Sequence, residues 1–195
     1  MMTRNEFAYK AHKNAQEKGF WQERLSNEHY LMLVITEIAE VIEADRKNER
    51  ADVDRYLYGI KARKNVEKSF RSDTDIYRFY QPKNVYETNI KGSLEDEMAD
   101  IAIRLADLAG ALGLDFDKMK PCNYHRAFDK FTFTENAFAL TKGVSRDKIG
   151  IERRILFGLD YVFNWAESMN IDLWFFIEQK MKYNALRPAL HGKKY

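Results

Sequence analysis

Apolar residues recur at intervals of three and four along most of this chain, as in Leu31, Val34, Ile38 and Val41, or Met98, Ile101, Leu105 and Leu108. That period matches one face of an α-helix and not the alternation of two that a half-buried strand needs. Proline, which disrupts a helix interior, occurs only at Pro82, Pro121 and Pro188, so helices have room to run long. The pattern predicts an all-α class, a helical bundle, as one domain over residues 1–195.

About five or six helices are expected. The first covers residues 4–18 and stops at Gly19; the second covers 28–47. Ser93 reads as the N-cap of a helix to 112, with Glu95, Asp96 and Glu97 in its first turn, where acids suit the helix dipole. Further helices are expected over 134–142, 148–169 and 173–186, the last stopped by Pro188. Between the second and third lies a polar, Tyr- and Arg-rich insertion, 48–92. Its first part, RADVDRYLYGIKARKNVEKSF, suits a helix, whereas RSDTDIYRFYQPKNVYETNIKG reads as a long loop with a short extended piece at KNVYETNI.

The second helix carries acids where the pattern calls for core. In ITEIAEVIEADR, Glu37, Glu40 and Glu43 fall every third residue among Leu31, Leu33, Val34, Ile35, Ile38, Val41 and Ile42. A helix apolar on most of its circumference is buried on most sides, and an ionised carboxylate there is costly unless paired or bound to a metal. Residues three apart are helical neighbours, so Glu37 and Glu40 form a pair. Glu43 falls ~120° round from Glu37 at ~100° per residue, which places it at the rim or beside Arg46 or Lys47. EDEMADIAIRLADLA repeats the spacing with Glu97 and Asp100, and Arg104 follows on the same stripe. If the two helices pack antiparallel, four carboxylates meet. Without histidine beside them, they suit a hard cation with oxygen ligands, of which Mg²⁺ is the usual one.

Other chemistries lack their residues. Lys and Arg total 32 against 30 Asp and Glu, a net charge of +2, without the one-sided basic excess of a nucleic-acid binder. The single cysteine, Cys122, rules out an internal disulfide framework and disfavours a Cys-based metal site; His125 is its one nearby histidine. No histidine follows a glutamate at the spacing a di-iron bundle uses. No apolar run nears the ~20 residues that cross a bilayer, and MMTRNEFAYKAHKN lacks the apolar core of a signal peptide. A cytoplasmic protein with no membrane or nucleic-acid partner is expected.

E-x-x-E followed by E-x-x-D on two helices of an all-α bundle resembles the MazG-like nucleotide pyrophosphohydrolases, grouped with dimeric dUTPases and phosphoribosyl-ATP pyrophosphohydrolases as all-α NTP pyrophosphatases. The likeness rests on EKGFWQERLSNEHYLMLVITEIAEVIEADR, LEDEMADIAIRLADLAGALGLDF and IEQKMKYNALRPALHGKKY, with its K-M-x-x-N-x-x-R-P ending, rather less than half the chain. The resemblance implies hydrolysis of a nucleoside triphosphate between the α and β phosphates, and Glu37, Glu40, Glu97 and Asp100 as Mg²⁺ ligands. Glu40 is the choice among them to orient or deprotonate the attacking water. Lys180, Asn184 and Arg187 would hold phosphate or base. Arg104 would assist or form a salt bridge to Asp100 or Asp107, and Trp21 and Phe20 would stack on the nucleobase or serve as core aromatics. A homodimer or higher oligomer is implied. The rival reading is a non-catalytic nucleotide-binding or regulatory helical protein.

Two departures stand out. The insertion 48–92 would be a lid, a specificity element or a dimer contact. Segment 117–172 separates LGLDF from the tail helix and ends in a similar piece: LADLAGALGLDF (105–116) aligns with VFNWAESMNIDL (162–173). Either 117–172 holds a degenerate repeat hairpin, or two amphipathic helix ends look alike by chance. In that alignment Arg154 stands opposite Glu97 and Phe157 opposite Asp100. A second copy would lack the ligands, and would take over part of a subunit interface.

Overall fold

The computed structural model describes residues 2–120, 122 and 126–192. Pro121, His125 and the last three residues of the tail motif lie outside the described residues. Nine α-helices and no strand occur among those described: α1 (Arg4–Glu17), α2 (Asn27–Lys47), α3 (Val53–Ser69), α4 (Asp75–Phe79), α5 (Pro82–Asn89), α6 (Leu94–Ala111), α7 (Phe133–Val144), α8 (Ile151–Ser168) and α9 (Leu173–Leu186). None is long and apolar enough to cross a membrane. Six of these are the helices expected from the period; the other three divide the insertion.

Local signals set the ends. Thr3 and Glu6 form a reciprocal capping box on α1, and Ser26 and Ser93 accept the orphan N–H groups of His29 and Asp96 at the starts of α2 and α6. α2 stops at Asn48, which takes the left-handed conformation at φ 54°. In the insertion the expected extended piece is instead helix α5. Pro82 occupies its first turn, where a missing N–H costs nothing, and the burial of Val85, Tyr86 and Ile90 outweighs the local β-like composition.

α6 is the axis of the bundle. Met98, Ala99, Ile101, Ala102, Leu105, Ala106 and Ala109 are fully buried, and α1, α2, α8 and α9 all pack against this helix. Its alanines let neighbours come close, while each large side chain buried contributes about 1.5–3 kcal/mol. α2 lies antiparallel to α6, because the insertion leaves and returns at one place. Asp52 N–H donates to Asn89 O at 2.8 Å, and Leu94 N–H to Glu49 O at 2.9 Å. Glu95, buried in the first turn of α6, accepts from Ala51 N–H at 3.0 Å and pairs with Arg50 at 3.3 Å.

α7 and α8 form a second hairpin against α2 and α6, with Trp165, Tyr161 and Leu140 in its core. The aligned segments share local geometry. Gly113 and Asn170 are both left-handed, at φ 65° and 58°. Leu114 N–H reaches back to Ala109 O, as Ile171 N–H does to Ala166 O. Asp115 and Asp172 then cap the following helical turns.

Candidate functional site

The antiparallel register of α2 and α6 brings the acid pairs together. Carboxylate oxygens of Glu37, Glu40 and Glu97 lie within 4.8 Å of one another, a set able to hold a metal ion. Glu37 and Glu97 are buried, whereas Glu40 is exposed and faces the rim, contrary to the inward orientation expected of both members of its pair. Glu43 pairs with Arg46 at 3.2 Å and Lys47 at 3.4 Å, out of the site.

Asp100, the fourth expected ligand, is close by but engaged. Its carboxylate accepts from Lys180 of α9 at 2.6 Å. Lys180 also reaches Asp96 at 2.8 Å, and both Lys180 and Asp96 are buried. Expected to hold substrate, the Lys180 ammonium instead lies inside a carboxylate pair. The reason is burial: a cation on an apolar helix face needs counter-charges within reach. Burial alone would lower its pKa, but Asp100, Asp96 and Glu97 together raise it, so Lys180 stays protonated. Arg104 differs too. It donates to Glu37 across the helix pair at 2.9 Å rather than to Asp100 or Asp107 on its own helix. Glu37 and Asp100 thus each hold a protein cation.

The site still carries an excess of acid. Glu37, Glu40, Asp96, Glu97 and Asp100 cluster here, with ion pairs from Arg104 to Glu37 and from Lys180 to Asp96 and Asp100. Burial, then Asp100, pushes the Glu97 carboxyl up to about 8; burial and Asp100 likewise raise Glu37, against Arg104. A divalent cation would supply the missing positive charge, so the donor set fits one.

Beside the carboxylates a cavity of about 70 Å³ is bounded by α1, α2, α6 and α9. Glu37, Asp100, Arg104, Lys18, Asn184 and Arg187 line it together with Phe20. Asn184 accepts from Arg187 at 3.4 Å, and Lys18 donates to Ala185 O and Arg187 O at 2.8 and 2.6 Å, holding the end of α9 against α1. Trp21 is not part of the lining. Its indole N–H donates to Asp107 at 2.9 Å and its ring stacks on Tyr30, so it packs against the core. Asp107 also bonds His12 at 2.8 Å; burial raises its pKa and these two partners pull it back.

Asp96, read from the sequence as a first-turn acid suited to the helix dipole, is instead a buried member of the site, and Tyr86 joins it from the insertion. The Tyr86 hydroxyl donates to one oxygen of Asp96, and Gly92 N–H donates to the other at 3.0 Å. Burial, then Asp96, raises the Tyr86 phenol far above its usual range, so it remains the donor. Tyr86 stacks on Tyr183 of α9, whose hydroxyl reaches Glu87, and Tyr56 bonds Gln179. The insertion therefore grips α9, the helix that carries Lys180. Asp96 lies one helical turn before Asp100, on the same face; that spacing is the sequence signal for it.

No protein family, curated protein or solved structure matches the chain.

Proposed function

We propose that this chain hydrolyses a nucleoside or deoxynucleoside triphosphate at the α–β phosphate bond to monophosphate and pyrophosphate, as the resemblance to MazG-like enzymes implies. The observation that carries the reading is the meeting of Glu37, Glu40 and Glu97 beside a cavity lined by Lys18, Arg104, Asn184 and Arg187. Oxygen-only ligands favour Mg²⁺. When bound, Mg²⁺ neutralises polyphosphate charge and lowers the pKa of a bound water. Glu37, Glu40 and Glu97 would hold it, joined by Asp100. Glu40, which is exposed, would orient the attacking water or take its proton. Asn184 and Arg187 would bind phosphate oxygens. At about 70 Å³ the cavity is far smaller than the ~300–1,000 Å³ of small-molecule pockets, so it suits phosphate and water, with sugar and base outside.

The reading includes a cytoplasmic enzyme that forms a homodimer or higher oligomer, which light scattering tests. Activity is tested by a pyrophosphate-release screen over ribo- and deoxynucleoside triphosphates with Mg²⁺. Release from at least one of them, abolished by chelator, is expected. Nucleotide that raises the melting temperature with no release would replace this reading with non-catalytic nucleotide binding.

A further inference from the structure

Lys180 is shared by two aspartates of unlike character. Asp96 is fully buried and held by Tyr86, the Gly92 N–H and Lys180. Asp100 is partly exposed and lines the cavity. An ammonium as buried as Lys180 is costly without a partner. If a divalent cation draws Asp100 away, the lysine must have another anion or oppose the exchange. We propose that Asp96 is a positioning residue that gives Lys180 a permanent counter-ion, so that Asp100 can pass from the lysine to a divalent cation. This rests on the metal-site reading above.

Tyr86 and Gly92 fix Asp96 in place, so the lysine keeps one anchor while its other contact changes. The insertion thereby contributes to the site from beneath: through Tyr86 it holds the anion that holds the lysine. No such anchor is needed at Glu37, because its partner Arg104 lies at the cavity wall and is partly exposed.

The test is Mg²⁺ and Mn²⁺ binding by titration calorimetry on the full chain, beside thermal melts without metal. Asp96→Asn keeps one acceptor oxygen for Lys180 and the Gly92 N–H, with Tyr86 turned to accept from the amide NH₂, but loses the charge, leaving the lysine to Asp100. Metal affinity should fall at least ~10-fold, a change of about 1.4 kcal/mol. Adding Lys180→Met removes the competing ammonium, and the double variant should bind at least as tightly as the wild type. The double variant leaves no unpaired charge on Asp96 or Lys180, so it tests the exchange even if Asp96→Asn folds poorly. A purely structural Asp96 would lower the melting temperature and leave the metal titration unchanged; that result in folded Asp96→Asn overturns the proposal. So does a double variant that binds more weakly than wild type. Wild-type protein that binds neither ion overturns the metal-site reading itself, which distinguishes the two failures.

Discussion

Two helical hairpins face each other across this bundle, α2 with α6 and α7 with α8, and they place opposite chemistry at matching positions. Where α6 has Glu97 and Asp100, α8 has Arg154 and Phe157. Arg154 donates to Val144 O at 2.7 Å, satisfying an orphan carbonyl at the end of α7. Phe157 lies over Gly143, whose missing side chain makes the approach possible: a Cβ there would sit 1.8 Å from the ring. One hairpin thus keeps buried carboxylates; at the matching positions the other sets a ring against a glycine and an arginine on a backbone carbonyl.

The comparison breaks most sharply at Glu40. Glu40→Gln should reduce pyrophosphate release at least ~100-fold, the usual scale for a lost acid–base group. Its melting temperature should stay near wild type, because the residue is exposed. A parallel loss of activity and stability would contradict its place at the rim.

Gly143→Ala tests the other hairpin. Alanine gains about 1 kcal/mol of helix propensity over glycine, but the clash with Phe157 costs about 1–3 kcal/mol. Net destabilisation in a urea titration is expected, with metal affinity of the folded protein unchanged. Stabilisation would mean that Phe157 moves aside freely.

Glu97 sharpens the contrast through pH. Its folded value, about 8, lies above the ordinary 4.5, so the folded state retains a proton that the unfolded chain releases. Without added cation, stability should fall as pH rises from about 4.5 to about 8. Cation binding displaces that proton, so Mg²⁺ affinity should rise by up to about tenfold per pH unit and level off above about 8. Calorimetry across this range checks it, and Glu97→Gln should flatten the profile. The smallest effect belongs to Glu43. Its exposed pairs with Arg46 and Lys47 are worth at most about 0.5 kcal/mol, so Glu43→Gln should leave melting and activity almost unchanged.

Much of the fold was legible because its signals are local. The three-and-four period located six helices, and Ser93 marked where one of them begins; Thr3, Ser26 and Asp172 cap three others in the structure. The insertion was harder to read: KNVYETNI has a strand-like composition, and only the burial of Val85 and Tyr86 against the rest of the chain makes it helix. Of the candidate site, the spacing of Glu37 with Glu40 and of Glu97 with Asp100 identified the two faces that meet. It was silent on which carboxylate would already hold a cation.

The sequence by itself determined the helical class, the two acid pairs and the exclusion of Glu43 from them, since these follow from residue spacing along one helix. Tertiary structure alone decided the partners: Arg104 with Glu37, Lys180 between Asp96 and Asp100, and Trp21 on Tyr30. Those pairings join residues 9 to 84 positions apart in the chain. The physical reason is desolvation: a buried charge takes whichever opposite charge the packing of other helices brings within reach.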